Sequence, residues 1–335
     1  MDGAESGDST YMDQAMAAAD AVRGTTSPNP WVGCVVVSGA DPTQVFEGAT
    51  APPGGPHAEV TALNRAGERH ARGATLFTTL EPCSHHGLTP PCTEAIIAAG
   101  VARVVIGVED PDPKVAGSGV AALRAAGIEV AVGLGEADVT EQLAPYLKHR
   151  RTGLPWVVLK MAASLDGRTA APDGTSRWIT GEEARRDVHR LRARSDAVLV
   201  GAGTIRADDP ELTVRLGDGP APRQPLRVVL GEAPPGAKVH PALELSGPLE
   251  DVLAELGRRG VLQLLVEGGA SVAHGFHAAG LVDRYVLYLA PVLFGGDDGR
   301  PLFAGPGAGT IGEVRRGKLV SVERLGDDLR VEVTA

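Results

Sequence analysis

Apolar positions along the chain alternate between two spacings. Met12–Arg23 (MDQAMAAADAVR) carries them at helical intervals, whereas Val32–Val37 is a short unbroken run of the kind a buried strand uses. The same contrast recurs through the first half. His57–Gly67 reads as helix, Thr75–Thr79 as strand, Thr93–Ala99 as helix, Arg103–Gly107 as strand, Gly119–Ala126 as helix and Glu129–Val132 as strand. Gly100 and Gly127 stop their helices, where a left-handed turn favours a residue without a Cβ. Alternation of this type predicts an α/β/α layered domain. A helical stretch over Glu136–Arg150 ends in Lys148-His149-Arg150-Arg151, followed by Thr152, Gly153 and Pro155. The domain boundary is placed there, giving domains 1–148 and 152–335.

The second half restarts the pattern, with strands at Trp156–Met161, Ala197–Val200, Leu226–Leu230, Val261–Glu267 and Arg284–Leu289. Helices are expected at Gly181–Arg194, Leu249–Arg259 and Ser271–Ala279. Leu319–Arg324 and Leu329–Val333 read as a hairpin around Gly326-Asp327-Asp328. This half is α/β as well, with an antiparallel pair near its end. The Pro/Gly-rich piece Gly231–Pro248 reads as a surface connection, and Asp208, before Pro210, reads as strand or turn.

Composition narrows the function classes. At 335 residues and 43% hydrophobic the chain can bury two cores. A net charge of −10 disfavours a nucleic-acid or anionic-membrane surface, which needs a basic footprint. No run of about 18 apolar residues and no basic leader segment is present, so the expected location is the cytoplasm. Three cysteines, Cys34, Cys83 and Cys92, are too few for a disulfide framework. Cys34 sits inside an apolar strand and reads as core.

Cys83 and Cys92 read as ligands. His57-Ala58-Glu59 opens a helix, Pro82-Cys83 follows a strand, and Cys92 precedes another helix after an eight-residue gap. One imidazole and two thiolates give zinc three protein ligands and leave its fourth position to water, the arrangement of a catalytic rather than a structural site. Glu59 is placed to take a proton from that water and deliver it to a ring nitrogen and leaving ammonia. The pattern is that of zinc deaminases, apart from the longer cysteine gap. His85 and His86 lie inside that gap and Asn29 lies in Ser27-Pro28-Asn29-Pro30; each reads as a loop residue facing a ligand or as ordinary solvated or turn chemistry.

The segment from His57-Ala-Glu through Thr79-Leu-Glu-Pro-Cys-Ser-His-His-Gly-Leu-Thr-Pro-Pro-Cys92 resembles the bifunctional riboflavin-biosynthesis deaminase/reductases, whose cysteine gap has this length. Lys160–Arg168, Ser176–Thr180, Ala184–Asp187, Gly203–Arg215, Val266–Gly269 and Leu281–Arg284 resemble the same family's reductase half. The resemblance implies a cytidine-deaminase-like domain followed by a dihydrofolate-reductase-like domain. It further implies zinc-dependent deamination of 2,5-diamino-6-ribosylamino-4(3H)-pyrimidinone 5′-phosphate, then NADPH reduction of the ribosyl group to ribityl, in a homodimer or homotetramer. Substrate contacts transfer to Ser176, Arg192, Leu212, Arg215 and Glu267. Cofactor contacts transfer to Ala162, Trp178, Thr204, Asp208, Gly269, Ala270 and Ser271, with Lys160 a further candidate for organising the sugar. Arg185, Arg186, Arg192 and Arg215 offer forks suited to phosphate, and Glu267-Gly-Gly-Ala-Ser271 offers backbone N–H groups at a helix start.

Two departures stand out. Gly48-Ala49-Thr50 lacks the histidine the family carries there, and Gly231-Glu232 with its short link predicts that one strand of the NADPH-binding sheet is missing. Alternatives from the residues alone are a deaminase with a degenerate second half, a deaminase of free cytidine, guanine or tRNA, and a non-catalytic zinc-stabilised module. The acidic chain disfavours tRNA, and a closed zinc site would need a fourth ligand from His85 or His86.

Overall fold

The valine-rich runs of the first half become the inner strands of a five-stranded sheet. The computed structural model describes residues 2–217, 221 and 223–335, and the chain divides into two units, Met1–Gly153 and Leu154–Ala335. In chain order the first unit contains α1 (Asp2–Ala21), β1 (Gly33–Val37), β2 (Val45–Ala49), α2 (Ala58–Ala71), β3 (Thr75–Leu80), α3 (Cys92–Ala98), β4 (Arg103–Val108), α4 (Ser118–Ala125), β5 (Glu129–Val132), α5 (Glu136–Gln142) and α6 (Ala144–Thr152). The strand order is β2-β1-β3-β4-β5. β1 runs antiparallel to both neighbours, and β3, β4 and β5 are parallel.

Two glycines set how closely helices approach this sheet. A Cβ on Gly33 would lie 1.8 Å from the Ala15 carbonyl oxygen of α1, and one on Gly48 would lie 2.3 Å from the Ala58 carbonyl oxygen of α2. Gly48 pairs with Cys34, the neighbour of Gly33, so the two helices cover opposite faces. Close approach at Gly48 fixes the start of α2 and hence His57. The helix expected over Glu136–Arg150 is two helices instead, because Pro145 in the first turn of α6 cannot continue α5.

The second unit contains β6 (Trp156–Ser164), β7 (Arg168–Ala170), α7 (Glu182–Ala193), β8 (Ala197–Gly201), α8 (Ala202–Asp208), β9 (Leu226–Leu230), β10 (Leu243–Leu245), α9 (Leu249–Arg258), β11 (Gln263–Val266), α10 (Ala270–Ala278), β12 (Arg284–Ala290), β13 (Arg300–Pro301), β14 (Lys318–Leu325) and β15 (Asp328–Thr334). Its main sheet runs β10-β9-β8-β11-β6-β12-β15-β14. The first six strands are parallel and the last two form the antiparallel hairpin. Val157, Leu199 and Leu264 pack in one cluster while their neighbours Val158, Val198 and Leu265 pack in another, so both faces are buried, as a parallel sheet requires.

Three expectations fail here. Gly231–Pro248 is not merely a surface connection, and the strand predicted to be missing is present. β10 lies within that segment, pairs parallel with β9 in the register Leu243↔Val228, and is preceded by the fully buried Val239. Asp208 ends helix α8 rather than a strand, because Asp209 takes a left-handed conformation at φ 41° and stops the helix. No helix among the described residues is long and apolar enough to cross a membrane.

Candidate active sites

His57 is the residue immediately before α2, Cys83 lies in the loop after β3, and Cys92 is the first residue of α3. Their ligand atoms all lie within 4.8 Å of one another. His57 Nδ1 is 3.6 Å from Cys83 Sγ and 3.2 Å from Cys92 Sγ. Tetrahedral zinc, with bonds of about 2.3 Å to sulfur and about 2.0 Å to nitrogen, spaces neighbouring donors by about 3.5 Å. The donor set and its spacing therefore fit zinc. Thr89 Oγ1 stands 3.5 Å from His57 Nε2.

Crowding of these groups shifts their protonation. Hydrogen bonding from the Cys92 thiol and then from His57 holds the Cys83 thiol down at about 4. Donation to Cys83, reinforced by burial, pushes the Cys92 thiol up. Burial, followed by the negative charge of Cys83, raises the Glu59 carboxyl. Glu59 Oε2 lies 3.4 Å from Cys92 Sγ, and the side chain is 3% exposed. A buried carboxyl beside a metal-ligand set is suited to carrying a proton.

His57, Glu59 and Cys83 open into a cavity also lined by Asn29, Thr50, His85, Asp110, Asp112, Tyr146 and Arg150. Thr50 stands where a histidine was expected, and its hydroxyl accepts from Val32 N at 3.2 Å. Asn29 lines the cavity while its backbone closes a turn with Thr26. Cys34 is fully buried, and His86 is exposed 3.8 Å from Glu94. Glu81 is a positioning residue that the motif contained without revealing. Its carboxylate accepts from the backbone N–H groups of Asp110, Gly117, Gly119 and Val120 at 2.9–3.2 Å and so shapes the loop that carries Asp110. Asp110 accepts from Tyr146 Oη at 2.9 Å, and burial raises its pKa. Asp-Pro-Asp-Pro at 110–113 signals a turn in the sequence, but not its place in this cavity.

In the second unit Thr204 and Asp208 follow β8, and Gly269, Ala270 and Ser271 follow β11, at the carboxyl ends of two neighbouring parallel strands, the usual crevice of an open parallel sheet. Ala162 lies on β6 opposite Tyr288. Gly269 precedes α10 without any side-chain cap, which leaves the helix's first N–H groups, through Ala270 and Ser271, available to a phosphate. A Cβ on Gly269 would lie 3.5 Å from Thr204 Oγ1, so the segment after β11 meets the first turn of α8. Arg177 donates to the Asp208 carbonyl at 3.0 Å and ties α8 to the segment holding Ser176 and Trp178. Those two residues line a second cavity with Val292, Leu293 and Phe294. Arg185 stacks over the exposed Trp178 ring at 4.6 Å.

Each of the four expected arginine forks already has a partner within the protein. Arg192 is already bound by Glu267 through two hydrogen bonds of 2.6 and 3.0 Å, and it also donates to the Thr213 carbonyl. Arg215 pairs with Glu211 at 2.9 Å, Arg186 pairs with Glu182, and Arg185 donates to the Thr180 carbonyl. Leu212 is buried with φ 54°. Lys160 lies close to Glu267 and Arg192, and its pKa is lowered, first by burial.

A family model described as the cytidine and deoxycytidylate deaminase zinc-binding region matches residues 5–108, and the RibD C-terminal domain matches residues 155–331. The riboflavin biosynthesis protein RibD of Escherichia coli K12 is 41% identical over 96% of this chain and 98% of its own length. The chain belongs to the RibD family. Its Mycobacterium tuberculosis relative is 46% identical over 94% of this chain and 93% of its own. Among solved structures, Acinetobacter baumannii RibD superposes with a TM-score of 0.92 at 39% identity, covering 98% and 99% of the two chains. A Thermotoga maritima diaminohydroxyphosphoribosylaminopyrimidine deaminase/5-amino-6-(5-phosphoribosylamino)uracil reductase gives 0.88 at 34%, with the same coverage. Like its family, this chain is a bifunctional enzyme of riboflavin biosynthesis, a zinc-dependent deaminase joined to an NADPH-dependent reductase. The degenerate second half and the non-catalytic module both give way to that membership.

Proposed function

We propose that residues 1–148 deaminate 2,5-diamino-6-ribosylamino-4(3H)-pyrimidinone 5′-phosphate and that residues 152–335 then reduce its ribosyl group to ribityl. The observation that carries this reading is the buried Glu59 carboxyl 3.4 Å from Cys92 Sγ, in a cavity shared with His57 and Cys83. His57, Cys83 and Cys92 would hold zinc, whose Lewis acidity makes hydroxide available near neutral pH. Glu59 takes the proton released when water adds to the amino-bearing ring carbon and passes it to the ring nitrogen, then takes the proton of the new hydroxyl and delivers it to the amino group, which leaves as ammonia when the C–N bond breaks and the ring carbonyl forms. Burial keeps this proton within the site instead of exchanging it with solvent.

In the second unit NADPH supplies the hydride. Gly269, Ala270 and Ser271 would bind a cofactor phosphate through backbone N–H groups, with Trp178, Thr204, Asp208 and Ala162 completing that wall. Glu267, oriented by Arg192, faces the sugar together with Ser176, Leu212, Arg215 and the half-buried Lys160. The reading also places the chain in the cytoplasm, supported by its three free cysteines. It makes the enzyme a homodimer or homotetramer, supported by exposed apolar side chains on the edge strand β14, at Leu319, Val320 and Val322. Incubation with the diaminopyrimidinone ribosyl phosphate, first without and then with NADPH, tests the assignment. Ammonia release followed by loss of NADPH absorbance is expected; no ammonia would overturn it.

A further inference from the structure

The deaminase cavity carries an excess of negative side chains for a site that must admit a phosphate ester. Glu59, Glu81, Asp110 and Asp112 line it, and among its described lining residues Arg150 is the one with a permanent positive charge. Arg150 comes from the last turn of α6. Its guanidinium is held in place, lying 5.0 Å over the Tyr146 ring while Nη2 donates to the Pro28 carbonyl at 3.3 Å. Tyr146 is in turn fixed by its hydrogen bond to Asp110. The guanidinium is nevertheless under-used. Nε is buried with no hydrogen-bond partner among the described residues, and the Asp112 Oδ2 atom facing it is 3.7 Å away, an ion pair too long to be a hydrogen bond.

A positioned, planar fork with an unsatisfied buried donor is complementary to a phosphate, which accepts two N–H bonds at once. Resting on the substrate proposed above, we infer that Arg150 recognises the 5′-phosphate in the deaminase cavity and that the phosphate displaces the weak Asp112 contact. Arg150 thereby selects the phosphorylated pyrimidine over its dephosphorylated form. The purely structural alternative is that Arg150 only ties α6 to the loop at Pro28.

The two roles separate in the full-length enzyme. Ammonia release is measured without NADPH on the phosphorylated pyrimidine and on the same compound lacking phosphate, for the unaltered protein and for Arg150→Met, which keeps much of the apolar stem. The preference for phosphate, as a ratio of kcat/KM values, should collapse by about 10- to 100-fold, the size of one or two charge-assisted hydrogen bonds, and mostly through KM. Equal losses on both compounds, or no loss on either, would overturn the inference. Zinc content and NADPH consumption on the deaminated compound report folding in the same preparation. If Arg150→Met fails those controls, Arg150→Lys replaces it. A reduced but nonzero phosphate preference is then expected, and an unchanged one overturns the inference. Unaltered protein that releases no ammonia overturns the proposed function itself, whereas active protein with an indifferent Arg150 overturns only this step.

Discussion

The two sites of this chain manage charge in opposite ways. In the deaminase unit, His57, Cys83, Cys92 and Glu59 are pressed together, with one thiol held at about 4 and the other pushed up because they share a proton. In the reductase unit the charges are already closed on one another. Arg192 grips Glu267, Tyr288 Oη donates to Asp187 at 2.7 Å, and Arg215 pairs with Glu211. The first arrangement becomes balanced when it holds a cation; the second is balanced by its own side chains. Perturbing the first should therefore remove chemistry, and perturbing the Arg192–Glu267 pair of the second should remove stability along with its contact to the sugar.

Metal removal is the most severe test of that contrast. Dialysis against a strong chelator should abolish ammonia release, leave NADPH-dependent reduction of the deaminated substrate intact, and be reversed by added zinc; parallel loss of both activities would erase the distinction. Glu59→Gln comes next. It removes the proton carrier while keeping the volume, so ammonia release should fall by about 10²- to 10⁴-fold with zinc still bound, as metal analysis would verify. Deamination that survived this substitution would count against Glu59 as the proton carrier.

How much of each site could be read beforehand follows the same division. His-Ala-Glu and the Pro-Cys pair lie at helix and strand ends within one stretch of chain, so residue type and spacing were enough to pick out three groups whose ligand atoms the fold brings within 4.8 Å of one another. Arg192 and Glu267 lie on α7 and just past β11, and no local pattern announces that one would neutralise the other. Tyr146 and Arg150 reach the deaminase cavity from α6, a helix whose contribution depends on how it packs rather than on its own motif. The strand pattern failed in a different way. β10 is three residues long and sits in a Pro/Gly-rich segment, so its identity comes from its partner β9.

Within the reductase unit, Arg192→Met should test the closed pair. It leaves the Glu267 carboxylate buried without its fork, a loss of about 3–5 kcal/mol in the stability of that unit, read from chemical denaturation with ammonia release unchanged. The pair also predicts a pH response. Burial acts to raise the Glu267 pKa, and the Arg192 guanidinium outweighs it, leaving the pKa below its usual 4.5. A lowered carboxyl pKa stabilises the folded form fully above the unfolded value, and that stabilisation is lost as the pH falls through the folded value. The Arg192→Met unit should consequently lose less stability between neutral pH and the acid side of 4.5 than the unaltered one. An identical acid limb would mean that Glu267 is not held by Arg192.

The smallest expected effect bears on the segment where sequence and structure part company. Val239 is fully buried and packs with Val198, Val200, Leu212 and Val229 beneath the edge of the sheet. Val239→Ala removes two methyl groups from that cluster, at about 0.8 kcal/mol each plus a cavity term, so a loss of about 1.5–2.5 kcal/mol is expected. Glu232→Ala, at an exposed position of the same segment, should stay within about 0.5 kcal/mol. Leu212, one of the residues proposed to face the substrate, belongs to the same cluster, so the segment bears on the site as well as on the sheet. If Val239→Ala proved as silent as Glu232→Ala, the segment would be the plain surface connection its composition suggests, and β10 would contribute nothing to holding the reductase crevice in shape.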